Sequence, residues 1–158
     1  MNFINELGFE FVLSDSGWEE SSRNEKELLS SGADCISCLV NHKTQKVIKI
    51  MLTGALKNNT IYDYFRVLRS DFSHKHINLL AFEKIKIRGA SLPLQICRVV
   101  IPVSKNVNEV SYYFQLNRFG DVGYASIEVY NGSDDEKYLV ELIKNFRYSV
   151  GAEVYGGI

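Results

Sequence analysis

Apolar and polar residues alternate over several short stretches of the chain, as they do in β-strands that bury one face. The clearest stretch is Phe82–Arg88, where Ile85 and Ile87 fall on one side and charged residues on the other. Turn-forming residues separate the stretches and favour hairpins, with turns predicted at Asn41–Thr44 and Gly120–Gly123. The predicted strands are Phe9–Leu13, Cys35–Val40, Gln45–Leu52, Phe82–Arg88, Leu92–Val103, Val110–Asn117 and Tyr124–Tyr130.

Two further segments have the three- and four-residue apolar spacing of one-sided helices. The first is Thr60–Phe72, with an apolar face made by Ile61, Tyr64, Phe65, Leu68 and Phe72. The second begins at Ser133, and its buried stripe is predicted to be Leu139, Leu142, Ile143 and Phe146. Its first residues, Ser133 to Glu136, match a capping box, in which the serine and glutamate side chains satisfy backbone N–H groups at the helix start.

The order of these elements predicts an α+β fold, with an antiparallel sheet partly covered by two main helices. The chain has 158 residues, no internal repeat and no Pro-rich linker, which indicates a single domain. We predict that residues 1–150 form this domain and that residues 151–158 form a loose C-terminal tail.

The composition is that of a folded protein, with 46% hydrophobic and 23% charged residues. The 18 basic and 19 acidic side chains give a net charge of −1. This lacks the basic surplus of nucleic-acid binders, so we expect no nucleic-acid partner. The segment Met1–Leu13 has no features of a secretory signal, and no run of about 18 apolar residues occurs. We therefore expect a cytoplasmic protein without a membrane span.

The sequence has few groups of residues with the spacing of a catalytic or metal-binding site. Cys35 and Cys38 form a CxxC pair, but residues three apart in a strand point to opposite faces, and no further zinc ligands follow at a suitable spacing. His74 and His76 have no carboxylate or cysteine nearby in a ligand pattern, and His42 is distant. No P-loop, GxSxG or HExxH motif occurs, so we predict no catalytic residue, metal site or cofactor. A site assembled from distant residues would leave no such signature.

Two groups of side chains are candidates for contact with a protein partner. One is a basic stripe on a single strand, which suits an acidic partner or a solvated outer face. The other is a set of tyrosines on two strands predicted to pair, and tyrosine suits both core packing and recognition surfaces. The candidate partner-binding residues are Lys84, Lys86, Arg88, Tyr112, Tyr113, Tyr124 and Tyr130.

Several short motifs follow one another over residues 9–149. They are Phe9-Glu10-Phe11 before Trp18, the helix from Thr60, Ile85-Lys86-Ile87-Arg88-Gly89, Tyr112-Tyr113-Phe114, Tyr124–Val129 before the Ser133 helix, and its ending Ile143–Tyr148. In this order the chain resembles the PsbP-like/DcrB-like superfamily. The resemblance implies a curved antiparallel sheet of about six to seven strands flanked by two main helices, an α/β/α sandwich. It implies no shared active site.

Members of this superfamily include photosystem-associated proteins, bacterial lipoproteins, a Ran-binding nuclear-transport factor and cytoplasmic chaperones for type VI secretion effectors. The chain lacks the signal and lipobox cysteine of the lipoproteins, which leaves the chaperones as the most similar branch. We therefore expect a non-enzymatic protein-binding module, a chaperone or adaptor for a secreted effector. The alternatives are an immunity protein that neutralises a toxin and a small-ligand-binding domain with a pocket between sheet and helix. A homodimer also stays open.

Overall fold

The computed structural model describes residues 2–4, 9–21, 34–55, 70, 81–90, 96–115, 121–150 and 153–155. These residues form two antiparallel sheets and a helix, α1 (Lys137–Asn145). The strands are β1 (Asn2–Ile4), β2 (Phe9–Val12), β3 (Trp18–Glu20), β4 (Asp34–Asn41), β5 (Lys46–Ala55), β6 (Ala81–Ile85), β7 (Ile96–Ser104), β8 (Val107–Gln115), β9 (Asp121–Tyr130), β10 (Arg147–Val150) and β11 (Glu153–Tyr155). Within these ranges, no helix combines the length and apolar character that crossing a membrane requires.

The larger sheet has seven strands in the order β3-β4-β5-β9-β8-β7-β6, and every neighbouring pair is antiparallel. The predicted α+β class and antiparallel sheet are therefore confirmed. The turn predicted at Gly120–Gly123 is wrong, because Asp121, Val122 and Gly123 already belong to β9 and pair with β5. Val122 and Gly123 also pair with β8, which ends at Gln115.

The smaller sheet has four strands in the order β1-β2-β10-β11. β10 follows α1 directly and pairs with β2, so the two ends of the chain meet in this sheet. β11 lies within residues 151–158, which we predict to be a loose tail. Instead Glu153–Tyr155 pairs with β10, with Val150 opposite Glu153. A strand of three residues is too short to show a period in the sequence, and its partner strand supplies the hydrogen bonds.

The core lies between the larger sheet and α1, and we call the side of the sheet that faces α1 the first face. Ile48, Ile127 and Val110 are opposite one another on β5, β9 and β8, and all three belong to the core cluster. From α1, the predicted stripe is confirmed, because Leu139, Leu142, Ile143 and the following Phe146 are fully buried in the same cluster. Burying each of these side chains stabilises the fold by roughly 1.5–3 kcal/mol.

The other side of the sheet, the second face, also carries buried residues. Cys38, Met51 and Val99 alternate with residues of the first face on their strands and are nearly inaccessible. The helix predicted over Thr60–Phe72 lies outside the described residues except for Ser70, which is helical and exposed. The described residues thus contain one helix against the sheet, where two flanking helices are predicted.

The start of α1 differs from the predicted capping box. The Ser133 hydroxyl does accept a hydrogen bond from the backbone N–H of Asp135, at 3.3 Å. A tight turn then follows, with Lys137 N–H donating to Asp134 O at 3.0 Å, and α1 begins only at Lys137. Because of this extra turn, Glu136 is at the helix boundary, and its side chain bonds to Arg98 and Tyr112 on the sheet instead of capping the helix.

Candidate functional site

A hydrogen-bonded turn between β4 and β5 forms one wall of a cavity. Asn41 is buried at the start of this turn, and its Oδ1 accepts hydrogen bonds from the backbone N–H groups of Lys43 (2.9 Å) and Thr44 (3.1 Å). Its Nδ2 donates to the backbone oxygen of Ser16, at 3.3 Å. The turn predicted at Asn41–Thr44 is therefore confirmed, and one asparagine side chain holds it to the preceding segment.

The cavity has a volume of about 330 Å³ and lies where β5, β9 and β8 adjoin. Its polar lining includes Lys49, Glu109, Ser126 and Glu128. The register places Glu109 directly opposite Glu128, and Lys49 directly opposite Ser126. These four residues alternate with those of the first face, so the cavity opens on the second face, away from α1.

The two glutamates are like charges at directly opposed positions, an arrangement that destabilises a sheet. Burial raises the pKa of Glu109; the positive charge of Lys49 opposes this rise and the negative charge of Glu128 adds to it. Among the described residues, none forms a hydrogen bond or an ion pair with either carboxylate. The cavity thus has two carboxylates near one ammonium group, without a direct contact between them.

Glu109→Gln is expected to raise the free energy of unfolding at pH 7 by about 0.5 kcal/mol, because it removes one of two opposed like charges. A carboxyl whose pKa is raised on folding stabilises the fold below its usual pKa, and that contribution is lost as pH rises through the raised value. The gain from glutamine should therefore vanish at acidic pH. Thermal unfolding at pH 7 and below about pH 4 checks this.

The matched control for this prediction is Glu19→Gln, which removes an exposed glutamate on the edge strand β3. It should change stability by less than about 0.5 kcal/mol. A loss of stability in Glu109→Gln at pH 7 would contradict the prediction, because it would mean that the carboxylate has a favourable partner.

Exposed apolar residues lie at the same end of the sheet. Among the residues that the structure describes, the most exposed large hydrophobic side chains are Tyr130 (54%), Val103 (52%) and Val47 (37%). Tyr130 and Val47 line the cavity, and Val103 lies near the end of β7, beside the β7–β8 turn. Lys46 Nζ is 4.3 Å from the centre of the Tyr130 ring and 2.9 Å from Asp135 Oδ2, which fixes the ring from one side. We call Val47, Val103 and Tyr130 the apolar patch.

The four predicted tyrosines do not form one surface. Tyr112 is on the first face, is 2% exposed, and donates a hydrogen bond to Glu136 Oε2 at 2.5 Å. Tyr113 is 5% exposed on the second face and stacks on the half-buried Tyr124, with ring centres 4.5 Å apart. Of the four, Tyr130 alone is strongly exposed. Tyr112 and Tyr113 are therefore too deeply buried in the monomer to contact a partner.

The predicted basic stripe lies elsewhere. Lys84, Lys86 and Arg88 are exposed, whereas Ile85 and Ile87 between them are half-buried, as the alternation predicts. The stripe begins on β6, the edge strand of the larger sheet, and continues into the turn after it. β6 is separated from the cavity strand β8 by β7. The structure therefore does not bring the basic stripe together with Tyr130.

The cysteines and histidines form no site among the described residues, where no group of three or more metal-ligating side chains occurs. A β-bulge between Cys35 and Ser37 shifts the register, so that Cys35 is paired with Met51 and Cys38 with Lys49. His42 is exposed beside Glu19, and the segment with His74 and His76 lies outside the described residues.

No protein-family model matches this chain, and no curated protein matches it. A crystal structure of a protein from Bacteroides thetaiotaomicron VPI-5482, at 1.50 Å resolution, is similar to it over 96% of this chain, with a TM-score of 0.55 and 15% sequence identity. This chain spans 49% of the length of that protein's chain. At such low identity the similarity concerns the fold alone.

Proposed function

We propose that this protein is a non-enzymatic protein-binding module that contacts its partner through the apolar patch and the adjoining cavity. The observation that carries the proposal is the grouping of the most exposed large hydrophobic residues, Tyr130, Val103 and Val47, at one end of the sheet. An exposed tyrosine at the same end of a sheet as further exposed apolar residues is typical of a protein interface. Lys46 fixes the Tyr130 ring, which lowers the entropy lost when a partner packs on it.

We propose further that the partner is a secreted effector and that the protein acts as its chaperone or adaptor, within the PsbP-like/DcrB-like superfamily. The support is the order of motifs in the sequence, together with an antiparallel sheet followed by α1. An immunity protein would have the same architecture and a similar patch. The neighbouring gene separates the two functions: a toxin gene supports immunity, and a gene for a large secreted effector supports the chaperone.

The proposal extends to the second helix of the predicted α/β/α sandwich. Cys38, Met51 and Val99 are buried on the second face, although α1 covers the first. The helix predicted over Thr60–Phe72 has an apolar stripe suited to covering them. Both faces of the sheet would then be covered in its central part, and the end with the apolar patch would remain open.

The test compares recovery of partners by the tagged full chain in its native cell. The double variant Tyr130→Ala/Val103→Ser is expected to lose at least tenfold in recovery of the partner that the wild type retains, because truncating a central interface tyrosine removes 2 kcal/mol or more, by order of magnitude. Quantitative mass spectrometry of the eluates, followed by calorimetric titration with the purified partner, gives the measurement.

The matched control is Lys86→Ser/Arg88→Ser, which changes two exposed residues of the basic stripe. It should recover the partner as the wild type does. If this variant alone loses the partner, the partner binds at the basic stripe and not at the apolar patch. Recovery of no specific partner by the wild type would contradict the proposed function and favour the small-ligand alternative.

A further inference from the structure

We infer that the cavity between Glu109 and Glu128 receives an arginine side chain of the partner protein. This inference rests on the proposed function and identifies the chemical group of the partner that the cavity binds. The directly opposed carboxylates of Glu109 and Glu128 are the first observation, because they meet at one opening without a hydrogen bond or ion pair to any described residue. A guanidinium group inserted there would separate the two like charges and bond to both.

A second, independent observation comes from Ser126. This serine is only 4% exposed, it lines the same cavity, and no described residue forms a hydrogen bond with its hydroxyl. The cavity gives access to this hydroxyl, and a hydroxyl that lines a cavity can bond to the donor of a ligand there. The Ser126 oxygen can accept one of the five N–H groups of a guanidinium.

The charge balance of the cavity also favours a cation. Of the two lysines in its lining, Lys46 is bound to Asp135 at 2.9 Å and lies over the Tyr130 ring. Lys49 alone then faces the two glutamates, so the group is net negative. The planar guanidinium suits this place better than a lysine ammonium, because it bonds two carboxylates in fixed directions while its face stacks on an aromatic ring such as Tyr130.

The shape of the opening fits an arginine supplied on a protein surface. Val47 and Tyr130 lie at the mouth of the cavity and offer apolar contact to the methylene stem of the side chain. The apolar patch around them would contact the residues that flank the arginine. Patch and cavity thus form one surface, with an apolar rim and an acidic interior.

The test uses N-acetyl-arginine methylamide as the probe and the full chain labelled with nitrogen-15. Addition of the probe is expected to shift the amide signals of Glu109, Ser126 and Glu128, with saturation in the millimolar range. The citrulline analogue, which has the same shape without the charge, should bind at least fivefold more weakly, and the lysine analogue should be weaker than arginine. Glu109→Gln and Glu128→Gln should each reduce affinity at least fivefold, whereas Glu19→Gln should leave it unchanged.

The affinity of the probe should also fall as the pH is lowered, because a protonated carboxyl no longer attracts the cation. Among the described residues, the charged groups that face Glu109 are Glu128 on β9 and Lys49 on β5, and its neighbour on β7 is the uncharged Ile101. The loss should begin at a higher pH than for an ordinary glutamate, because burial raises the pKa of Glu109. An affinity independent of pH between 7 and 4 would overturn the assignment to these carboxylates.

Three other results would overturn the inference: equal binding of the arginine and citrulline analogues, equal binding of the lysine analogue, and unchanged binding in both glutamine variants. Failure of the proposed function gives a different result, namely no effect of Tyr130→Ala/Val103→Ser on partner recovery. If the variants of the apolar patch lose the partner while Glu109→Gln and Glu128→Gln retain it, the proposed function holds and the arginine inference is wrong.

Discussion

Glu136→Ala is expected to lower the free energy of unfolding by about 2–3 kcal/mol, because it leaves two N–H groups of the Arg98 guanidinium and the Tyr112 hydroxyl without their acceptor. Glu136 accepts two hydrogen bonds from Arg98, from Nε at 2.8 Å and from Nη2 at 2.7 Å, and a third from the Tyr112 hydroxyl at 2.5 Å. The side chains of Arg98 and Glu136 are 25% and 28% exposed, so water replaces these bonds poorly. Urea unfolding followed by circular dichroism measures the loss.

The matched control uses the same arginine. Arg98 Nη1 also donates to Glu83 Oε1 at 2.8 Å, but the Glu83 side chain is 52% exposed. Glu83→Ala should therefore cost well below 1 kcal/mol, as exposed ion pairs do. Equal losses in Glu83→Ala and Glu136→Ala would contradict the prediction, since the two pairs would then differ in exposure without differing in strength.

The contribution of Glu136 depends on pH in a defined direction. Burial acts to raise the pKa of Glu136, but the hydrogen bonds from Arg98 and Tyr112 outweigh it and hold the pKa below its usual value. A lowered pKa stabilises the fold above the usual glutamate pKa, and this contribution is lost as pH falls through the lowered value. The difference between wild type and Glu136→Gln should thus be full at pH 7 and shrink below about pH 4.

Phe146→Ala is expected to have the largest effect, a loss of about 3–5 kcal/mol, because it opens a cavity between the two sheets. The Phe146 ring is fully buried, with its centre 5.0 Å from the ring of Phe114 and 6.2 Å from the ring of Phe11. Phe114 belongs to the larger sheet and Phe11 to the smaller one. Equilibrium unfolding in urea measures the loss, and Phe146→Leu should recover part of it.

Tyr130→Ala is the matched control for Phe146→Ala, because it also removes an aromatic ring, but one that is more than half exposed. It should change stability by less than about 0.5 kcal/mol. A loss of stability of comparable size in both variants would contradict the prediction. It would show that removing any aromatic ring has this effect, whether or not the ring packs between the two sheets.

The regular elements of the fold could be predicted from short-range patterns. The alternation from Lys84 to Arg88 and the apolar stripe of α1 depend only on residues close together in the sequence, and both correspond to observed burial, although β6 ends at Ile85, before the predicted end at Arg88. The short strands β10 and β11 could not be predicted this way. Their hydrogen bonds come from each other and from β2, which lies far away in the sequence.

The candidate site was beyond prediction for a related reason. A turn at Gly120–Gly123 would give β8 and β9 a register in which Glu109 and Glu128 are not opposed. The observed register, with Gln115 opposite Val122, places them together. A shift of the turn by a few residues changes every cross-strand pair, so the acidic interior of the cavity depends on tertiary information.

Glu136 illustrates a competition that the sequence does not resolve. The motif from Ser133 to Glu136 is compatible with a capping box, and the Ser133 hydroxyl does bond to the Asp135 N–H. Arg98 and Tyr112, however, offer three charge-assisted hydrogen bonds from strands that a local motif cannot include. The stronger set of bonds determines the position of the glutamate.

The asparagine that spans the β4–β5 turn has a consequence for the kinetics of association. Because Asn41 already fixes the turn to the Ser16 backbone, this wall of the cavity does not need to order when another molecule arrives. For a ligand whose own surface is also preformed, we expect encounter to be limited by mutual orientation, with rate constants of about 10⁵–10⁷ M⁻¹ s⁻¹. Differences in affinity among related ligands should consequently arise from how long each complex lasts.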